Sequence, residues 1–275
     1  MHFDCWKDWT KIAYMRRLNE LKASDVVVLS ISECSRVDLH RLTEFPLERA
    51  VTIMAGINRS NLSGKPSSEA LQKIKEKFGL NSPFFMSVGG LDGHKGFVAT
   101  AQAYAALRSS KEFQFVVVGS FNDPYKEHYR KLFEANKIPG VVFTGYLSRE
   151  EMACLYALSS GLVFPSHYEG FGFPVLEAMA HGCPVITTNV SSLPEVAGDA
   201  AILVGLDDAR GIENAMRRLL DESGLRAQMS ARGLQQAAKF SWEQSAQKTI
   251  QVWLELLGEE VSASKSDVGS VGVRS

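Results

Sequence analysis

Two glutamates, Glu169 and Glu177, bracket the turn Gly170-Phe171-Gly172, and the apolar run Leu162, Val163 and Phe164 precedes them. Strand, glycine turn and helix start together make an anion site, because the unpaired amides and the dipole of a helix N-terminus both favour negative charge. Pro174 suits the first helical turn, where its missing N–H costs nothing, and Val175, Leu176, Met179 and Ala180 supply an apolar stripe. With a helix starting near Pro174, both carboxylates face whatever occupies the turn. A second candidate is the stretch from Ser87 to Phe97. There Gly89, Gly90 and Gly93 permit close backbone approach, and Lys95 places a cation near a helix start at Phe97. The combination suits a phosphate. It lacks the P-loop spacing and the Ser or Thr after the lysine, so a tight turn with a solvated lysine accounts for it equally well.

Other polar residues read more plainly. A glutamate in a first helical turn complements the helix dipole on its own account, and only the pairing with Glu169 across the turn favours function for Glu177. His167 and His181 read as structural or rim groups. Glu195, after Leu193 and Pro194, reads as a helix-start residue. Of Phe171 and Phe173, the former, between glycines, is the better candidate for ligand contact.

The elements that must carry these residues follow from hydrophobic periodicity. Residues 3–24 read as an amphipathic surface helix, 26–31 as a strand leading into a capped helix over 34–42, and 52–57 as a second strand. Residues 58–68 have linker composition and mark a boundary. Beyond it, a helix with Leu71, Ile74 and Phe78 ends at Gly79. Apolar runs at 84–88, 115–118, 141–143, 162–164, 184–187 and 201–204 then alternate with helical segments. Continuous apolar strands separated by helices mean a parallel sheet covered on both faces: an α/β, doubly wound, Rossmann-like domain. Ser148 with Glu151 and Ser241 with Gln244 read as capping boxes. Helices from about 208 to 257 should pack on the sheet or on a neighbouring domain, and the chain from Gly258 onward has the composition of a disordered tail. In such a sheet ligands bind beyond the carboxyl ends of the strands near the topological switch point, so the loops there, including 119–124 and 144–148, are where chemistry is expected.

Composition excludes several classes. The chain has 275 residues and a formal net charge of -1, which gives no global attraction to nucleic acid. Its four cysteines include no C-x-x-C pair and its six histidines no H-E-x-x-H, so neither a disulfide framework nor a zinc site is expected, and a reducing cytoplasm fits best. The charged, aromatic start has no secretory-peptide core, and no apolar run approaches a membrane span.

The order FFMSVGGLDGHKG, FQFVVVGS, VVFTGYLSREEMACLYALS and GLVFPSHYEGFGFPVLEAMAHGCPVITTNVSSLPEVAGDAAILV resembles the C-terminal, donor-binding domain of a retaining glycosyltransferase of family 4 with the GT-B fold. The resemblance covers roughly 82–253, and VVVLSISECSRVDLHRL with VTIMAGIN is similar to that family's interdomain strand and connection. It implies residues 61–257 as a nucleotide-sugar-binding, Rossmann-like domain forming the C-terminal half of a GT-B architecture, 1–60 as only a remnant of the N-terminal acceptor domain, and 258–275 as a disordered tail.

The implied activity is retaining transfer of a hexose from a nucleotide diphosphate sugar, GDP-mannose or a UDP-sugar, to a hydroxyl of a glycan or lipid-linked acceptor, with no metal and no cofactor. The implied catalytic residues are Glu169, beside the donor sugar, and Lys95. Lys95 and the amides of Gly170, Phe171 and Gly172 would hold the diphosphate, with Gly89 and Gly90 in the opposing loop, while the Tyr146 and Leu147 backbone meets the base and Glu177 the ribose hydroxyls. The chemistry agrees. A departing diphosphate gains negative charge where a fixed cation and helix-end amides stabilise it, and a carboxylate beside the sugar orients hydroxyls or supports oxocarbenium character. Many family members carry arginine where this chain has Gly90. The near absence of an acceptor domain points to a fragment or to a partner chain that completes the cleft, with peripheral contact at the inner face of a membrane possible. A non-catalytic nucleotide-sugar-binding module, a truncated inactive fragment and a sugar-nucleotide epimerase stand as alternatives.

Overall fold

The computed structural model describes residues 8–57, 66–89, 93–119 and 139–258. Helix α1 (Asp8–Ala23) leads to β1 (Val28–Ser30), α2 (Glu33–Thr43) and β2 (Ala50–Thr52). β1 and β2 pair in parallel, with Val28 opposite Ala50. Helix α3 (Ser68–Phe78) is started by Ser67, whose Oγ accepts from the Ala70 N–H, and stopped by Gly79 in the left-handed conformation at φ 61°. Strand β3 (Phe84–Val88), α4 (Phe97–Arg108), β4 (Gln114–Val118), β5 (Val141–Gly145), α5 (Arg149–Leu158) and β6 (Gly161–Phe164) follow. The chain then forms α6 (Phe173–Ala180), β7 (Val185–Thr188), α7 (Leu193–Ala197), β8 (Ala201–Val204), α8 (Ala209–Asp221), α9 (Leu225–Ala237) and α10 (Trp242–Leu257).

The larger sheet has the order β5-β4-β3-β6-β7-β8, with every pair parallel. The chain moves outward from β3 to β5 and returns to the other side of β3, so the topological switch lies between β3 and β6. Side-chain alternation makes the sheet doubly wound. Phe84, Met86, Val116, Val118, Leu162 and Phe164 pack beneath α3, α5 and α6, whereas Phe85, Phe115, Val117 and Val163 pack beneath α4 and α8. Each fully buried Phe, Leu or Val gains roughly 1.5–3 kcal/mol by leaving water. That stability lets the loops at the strand ends hold conformations only glycine tolerates.

Several elements depart from expectation. The second strand ends at Thr52, where it was expected to begin. The Ile53 N–H still bonds to the Ser30 carbonyl at 2.8 Å, but the chain then crosses the start of α10 so closely that a Cβ on Gly56 would lie 2.1 Å from the Trp242 nitrogen. The apolar residues after Thr52 serve this crossing instead of a ladder. Ser148 and Glu151 form the full reciprocal box, while at α10 Ser241 accepts from the Gln244 N–H without a return bond among the described residues. α10 buries only Ser245 fully, and Ile250, Trp253 and Leu256 are exposed instead of packing on the sheet. The first helix begins at Asp8. The expected residues 3–7, most of the linker, Gly90, the 120–124 part of the loop after β4 and the 259–275 tail lie outside the described residues.

Candidate active site

The loops after β3 and β6 meet at the switch point because a glycine permits it. Gly96 has φ 65°, and a Cβ there would sit 2.1 Å from the Pro165 carbonyl oxygen. The His94 carbonyl accepts from the His167 N–H at 2.7 Å and the Ser166 hydroxyl at 3.0 Å, which ties the loops together. Lys95 is thereby placed with Nζ 2.5 Å from Glu169 Oε1 and 4.9 Å from the Phe164 ring centroid. Its stem passes over Gly89, whose φ of 100° and missing side chain leave room: a Cβ would meet Lys95 Cε at 3.4 Å. Both side chains of the pair are largely shielded, at 16% and 15% exposed, so the ion pair sits in a medium that strengthens it well beyond a surface pair.

The turn after Glu169 is held from outside. The Glu169 N–H donates to Ser191 Oγ at 3.0 Å, and its carbonyl accepts from Ser192 Oγ at 2.8 Å. The Gly170 carbonyl accepts from Ser32 Oγ at 2.7 Å and from Ser35 Oγ at 3.1 Å, both at the start of α2. The Tyr168 hydroxyl donates to Asp38 Oδ2 at 2.8 Å. Gly172 takes φ 103°, with Leu193 Cδ2 only 2.9 Å from where a Cβ would be. The N–H groups of Gly170, Phe171 and Gly172 donate to no acceptor among the described residues. The result is a row of free amides at the start of α6, beside the Lys95–Glu169 pair.

Glu177 lies on α6 and faces a cavity of about 340 Å³ lined by Ile57, Leu147, Arg149, Phe173 and His181 among others. The buried Tyr156 donates its hydroxyl to Glu177 Oε2 at 3.4 Å, and His181 stacks on Tyr156 with centroids 5.4 Å apart. Burial raises the Glu177 pKa above the ordinary carboxyl value; the Tyr156 hydroxyl, His181 and Arg149 oppose the shift without cancelling it. Burial likewise pushes the Tyr156 phenol well above its usual range.

Lys95, Glu169, Gly89 and the amides of Gly170, Phe171 and Gly172 therefore gather at the switch point, and Leu147 and Glu177 line the adjoining cavity. Tyr146 does not line it, and its side chain is 85% exposed. The preference for Phe171 over Phe173 is reversed. Phe171 is 2% exposed and packs against Phe240 in the core, while Phe173 lines the cavity. His167 Nε2 lies 2.8 Å from Asp207 Oδ1. Glu195 stands in the first turn of α7 as expected, and its carboxylate reaches across to accept from the N–H groups of Glu33 and Cys34 at 2.8 and 2.7 Å, closing the start of α2. Among the described residues no three His, Cys, Asp or Glu converge to hold a metal ion, and no helix is long and apolar enough to cross a membrane.

The sheet order and the crevice at its switch point define a doubly wound, Rossmann-like domain. Anabaena Alr3699/HepE, solved in complex with UDP and glucose, shares this fold at a TM-score of 0.78 and 17% identity, covering 88% of this chain and 67% of that one. Residues 68–236 match the family Glycosyl transferases group 1, and the chain belongs to that family. The O-antigen chain mannosyltransferase B of Escherichia coli is 31% identical over 248 residues, 88% of this chain and 64% of the relative. The serotype-specific mannosyltransferase WbdA of Escherichia coli is 28% identical over 92% of this chain and 32% of its own length. The chain thus spans less than two thirds of these relatives.

Proposed function

We propose that the chain binds a nucleotide diphosphate sugar at the switch-point crevice and transfers its hexose, with retained anomeric configuration and without a metal, to a hydroxyl of a glycan or lipid-linked acceptor. The observation that carries this reading is the shielded Lys95–Glu169 contact of 2.5 Å, made between the two loops that flank the switch, beside three amides that have no acceptor among the described residues. A diphosphate takes Lys95 and the amides of Gly170, Phe171 and Gly172, the ribose hydroxyls take Glu177 in the adjoining cavity, and the base lies against Leu147. Glu169, released from Lys95, faces the sugar.

As the bond from C1 to the phosphate oxygen breaks, the acceptor oxygen bonds to C1 on the same face. The acceptor proton passes to the departing phosphate oxygen, and configuration is retained. Lys95 and the amides stabilise the charge growing on the diphosphate, and Glu169 supports positive character at the sugar ring. The mannosyltransferase names of the two relatives make GDP-mannose the first donor to test, and the UDP bound to Alr3699/HepE makes UDP-sugars the second. Titration calorimetry of GDP-mannose, UDP-sugars and ADP-sugars, with and without EDTA, is expected to show saturable binding of a nucleotide diphosphate sugar that the chelator leaves unchanged. Failure of every donor to bind a folded chain overturns the reading.

A further inference from the structure

The amides that face the proposed diphosphate belong to peptides flanked by glycine, which rotates easily. Their direction needs an explanation. A trans peptide is planar, so its C=O and N–H point to opposite sides. The Glu169 carbonyl is held by Ser192 Oγ at 2.8 Å, and the N–H of the same peptide is that of Gly170. The Gly170 carbonyl is held by Ser32 Oγ at 2.7 Å and Ser35 Oγ at 3.1 Å, and the N–H of that peptide is that of Phe171. Holding the carbonyls therefore fixes both amide hydrogens on the side away from α2 and α7, where no acceptor among the described residues meets them. Ser192 is fully buried at the start of α7, yet its hydroxyl makes no cap bond there. It is committed to the Glu169 carbonyl instead of the usual duty of a serine at that position.

We propose that Ser192, together with Ser35 and Ser32 of the β1–α2 segment, acts as a set of positioning residues that aim the Gly170 and Phe171 amides at the distal phosphate of the donor. The inference rests on the donor-site reading above and extends it. Residues 138 and 135 positions apart from Gly170 in sequence, on the smaller sheet's side of the molecule, set the geometry of the anion site in the larger domain. The α2 start is anchored for this purpose by Glu195, whose carboxylate takes the Glu33 and Cys34 amides. Without its hydroxyl partners the Gly170 carbonyl is free to turn toward the ligand, where it would repel a phosphate oxygen.

Titration calorimetry on the full chain tests this with GDP and UDP, each beside its monophosphate, for the wild type, Ser35→Ala, Ser192→Ala and the double variant. Neither substitution removes a helix cap, and the serine-to-alanine change at Ser35 improves helix propensity. The expected result is diphosphate binding weakened about tenfold in the double variant and about threefold in Ser35→Ala, the scale of one displaced hydrogen bond to a charged group, with monophosphate binding unchanged. Ser35→Thr, which keeps the hydroxyl, should restore diphosphate affinity. If the double variant fails to fold, the Ser35→Ala and Ser35→Thr pair decides. Unchanged diphosphate affinity in folded variants, or equal loss for monophosphate and diphosphate, overturns the positioning role while leaving the donor site standing. No diphosphate binding by the wild type overturns both.

Discussion

Gly96→Ala tests whether one close approach builds the site. Gly96 and Gly79 have nearly the same left-handed backbone, with φ of 65° and 61°. Their surroundings differ: a Cβ on Gly79 meets nothing within 4 Å, whereas one on Gly96 lies 2.1 Å from the Pro165 carbonyl oxygen. Gly79→Ala therefore pays only the left-handed penalty of an L-residue, about 1–2 kcal/mol. Gly96→Ala pays the same and must also open the 2.1 Å contact to at least 3.0 Å, which moves the Lys95 loop by nearly 1 Å off the end of β6. That movement strains the two hydrogen bonds on the His94 carbonyl, worth about 1 kcal/mol each. The expected losses in urea denaturation are thus about 3–4 kcal/mol for Gly96→Ala against 1–2 for Gly79→Ala. Donor titration should separate them further, because the displaced loop carries Lys95, the cation of the proposed diphosphate site, whereas Gly79 lies at the other end of β3. Equal stability losses for the two variants, or wild-type donor affinity in Gly96→Ala, refute the reasoning.

Three further outcomes are expected. Glu177 has a folded-state pKa raised by burial, so the folded chain holds its proton more tightly than the unfolded chain. The group's contribution is then most favourable below the ordinary carboxyl range and is lost as pH rises through the folded value. Glu177→Gln should be more stable than wild type at neutral pH, with the gap closing toward about pH 4, and should bind ribonucleotides more weakly; a gap that widens on acidification contradicts the sign. Tyr156→Phe removes the hydroxyl that orients Glu177, and calorimetry should show the preference for UDP over deoxy-UDP narrowing by about threefold to tenfold, with no change meaning that Tyr156 only fills the core. Lys95→Ala leaves the shielded Glu169 carboxylate uncompensated, so it should destabilise the fold more than the double change Lys95→Ala with Glu169→Ala; strictly additive losses in a double-mutant cycle would show that the pair is uncoupled.

Much of the fold was legible because its signals are local. The runs at Phe84–Val88 and Gly161–Phe164 are short, continuous and apolar, which only a strand covered on both faces requires. Gly79 announces the end of α3, and Ser148 with Glu151 the start of α5. The placement of Lys95 and Glu169 was legible because each stands in a loop that the strand order must bring to the switch point, whereas Glu177, expected in the first turn of its helix, stands one turn further along α6. The failures share a cause. The stretch after Thr52 has strand composition, but its backbone is claimed by the crossing at Trp242, and composition carries no record of a partner nearly two hundred residues away. Phe171 looked like a ligand contact because it lies between glycines, yet its ring packs into the core against Phe240, a partner about seventy residues away that local composition does not record. Glu195 carried a correct local reading and a second role, on α2, that only the tertiary contact reveals.

In the proposed donor site, charges and amides divide the work of holding an anion. Lys95 is already compensated by Glu169 at 2.5 Å, so the pair together presents no net charge to an approaching diphosphate. The amides of Gly170 and Phe171 meet no acceptor among the described residues, and the carbonyls on the far side of their peptides are held by serine hydroxyls. Attraction therefore begins at the amides, whose dipoles cost no reorganisation because the serine hydroxyls have already set them. Only at contact distance does a phosphate compete with Glu169 for Lys95, and the exchange replaces one shielded ion pair with another. Its net gain is small, as expected for swapping partners in a low-dielectric crevice, and the affinity of the proposed site then depends chiefly on how firmly the amides are held. In the proposed reaction the step that matters chemically is the release of Glu169, which becomes an unpaired carboxylate beside the sugar only when a diphosphate has taken Lys95.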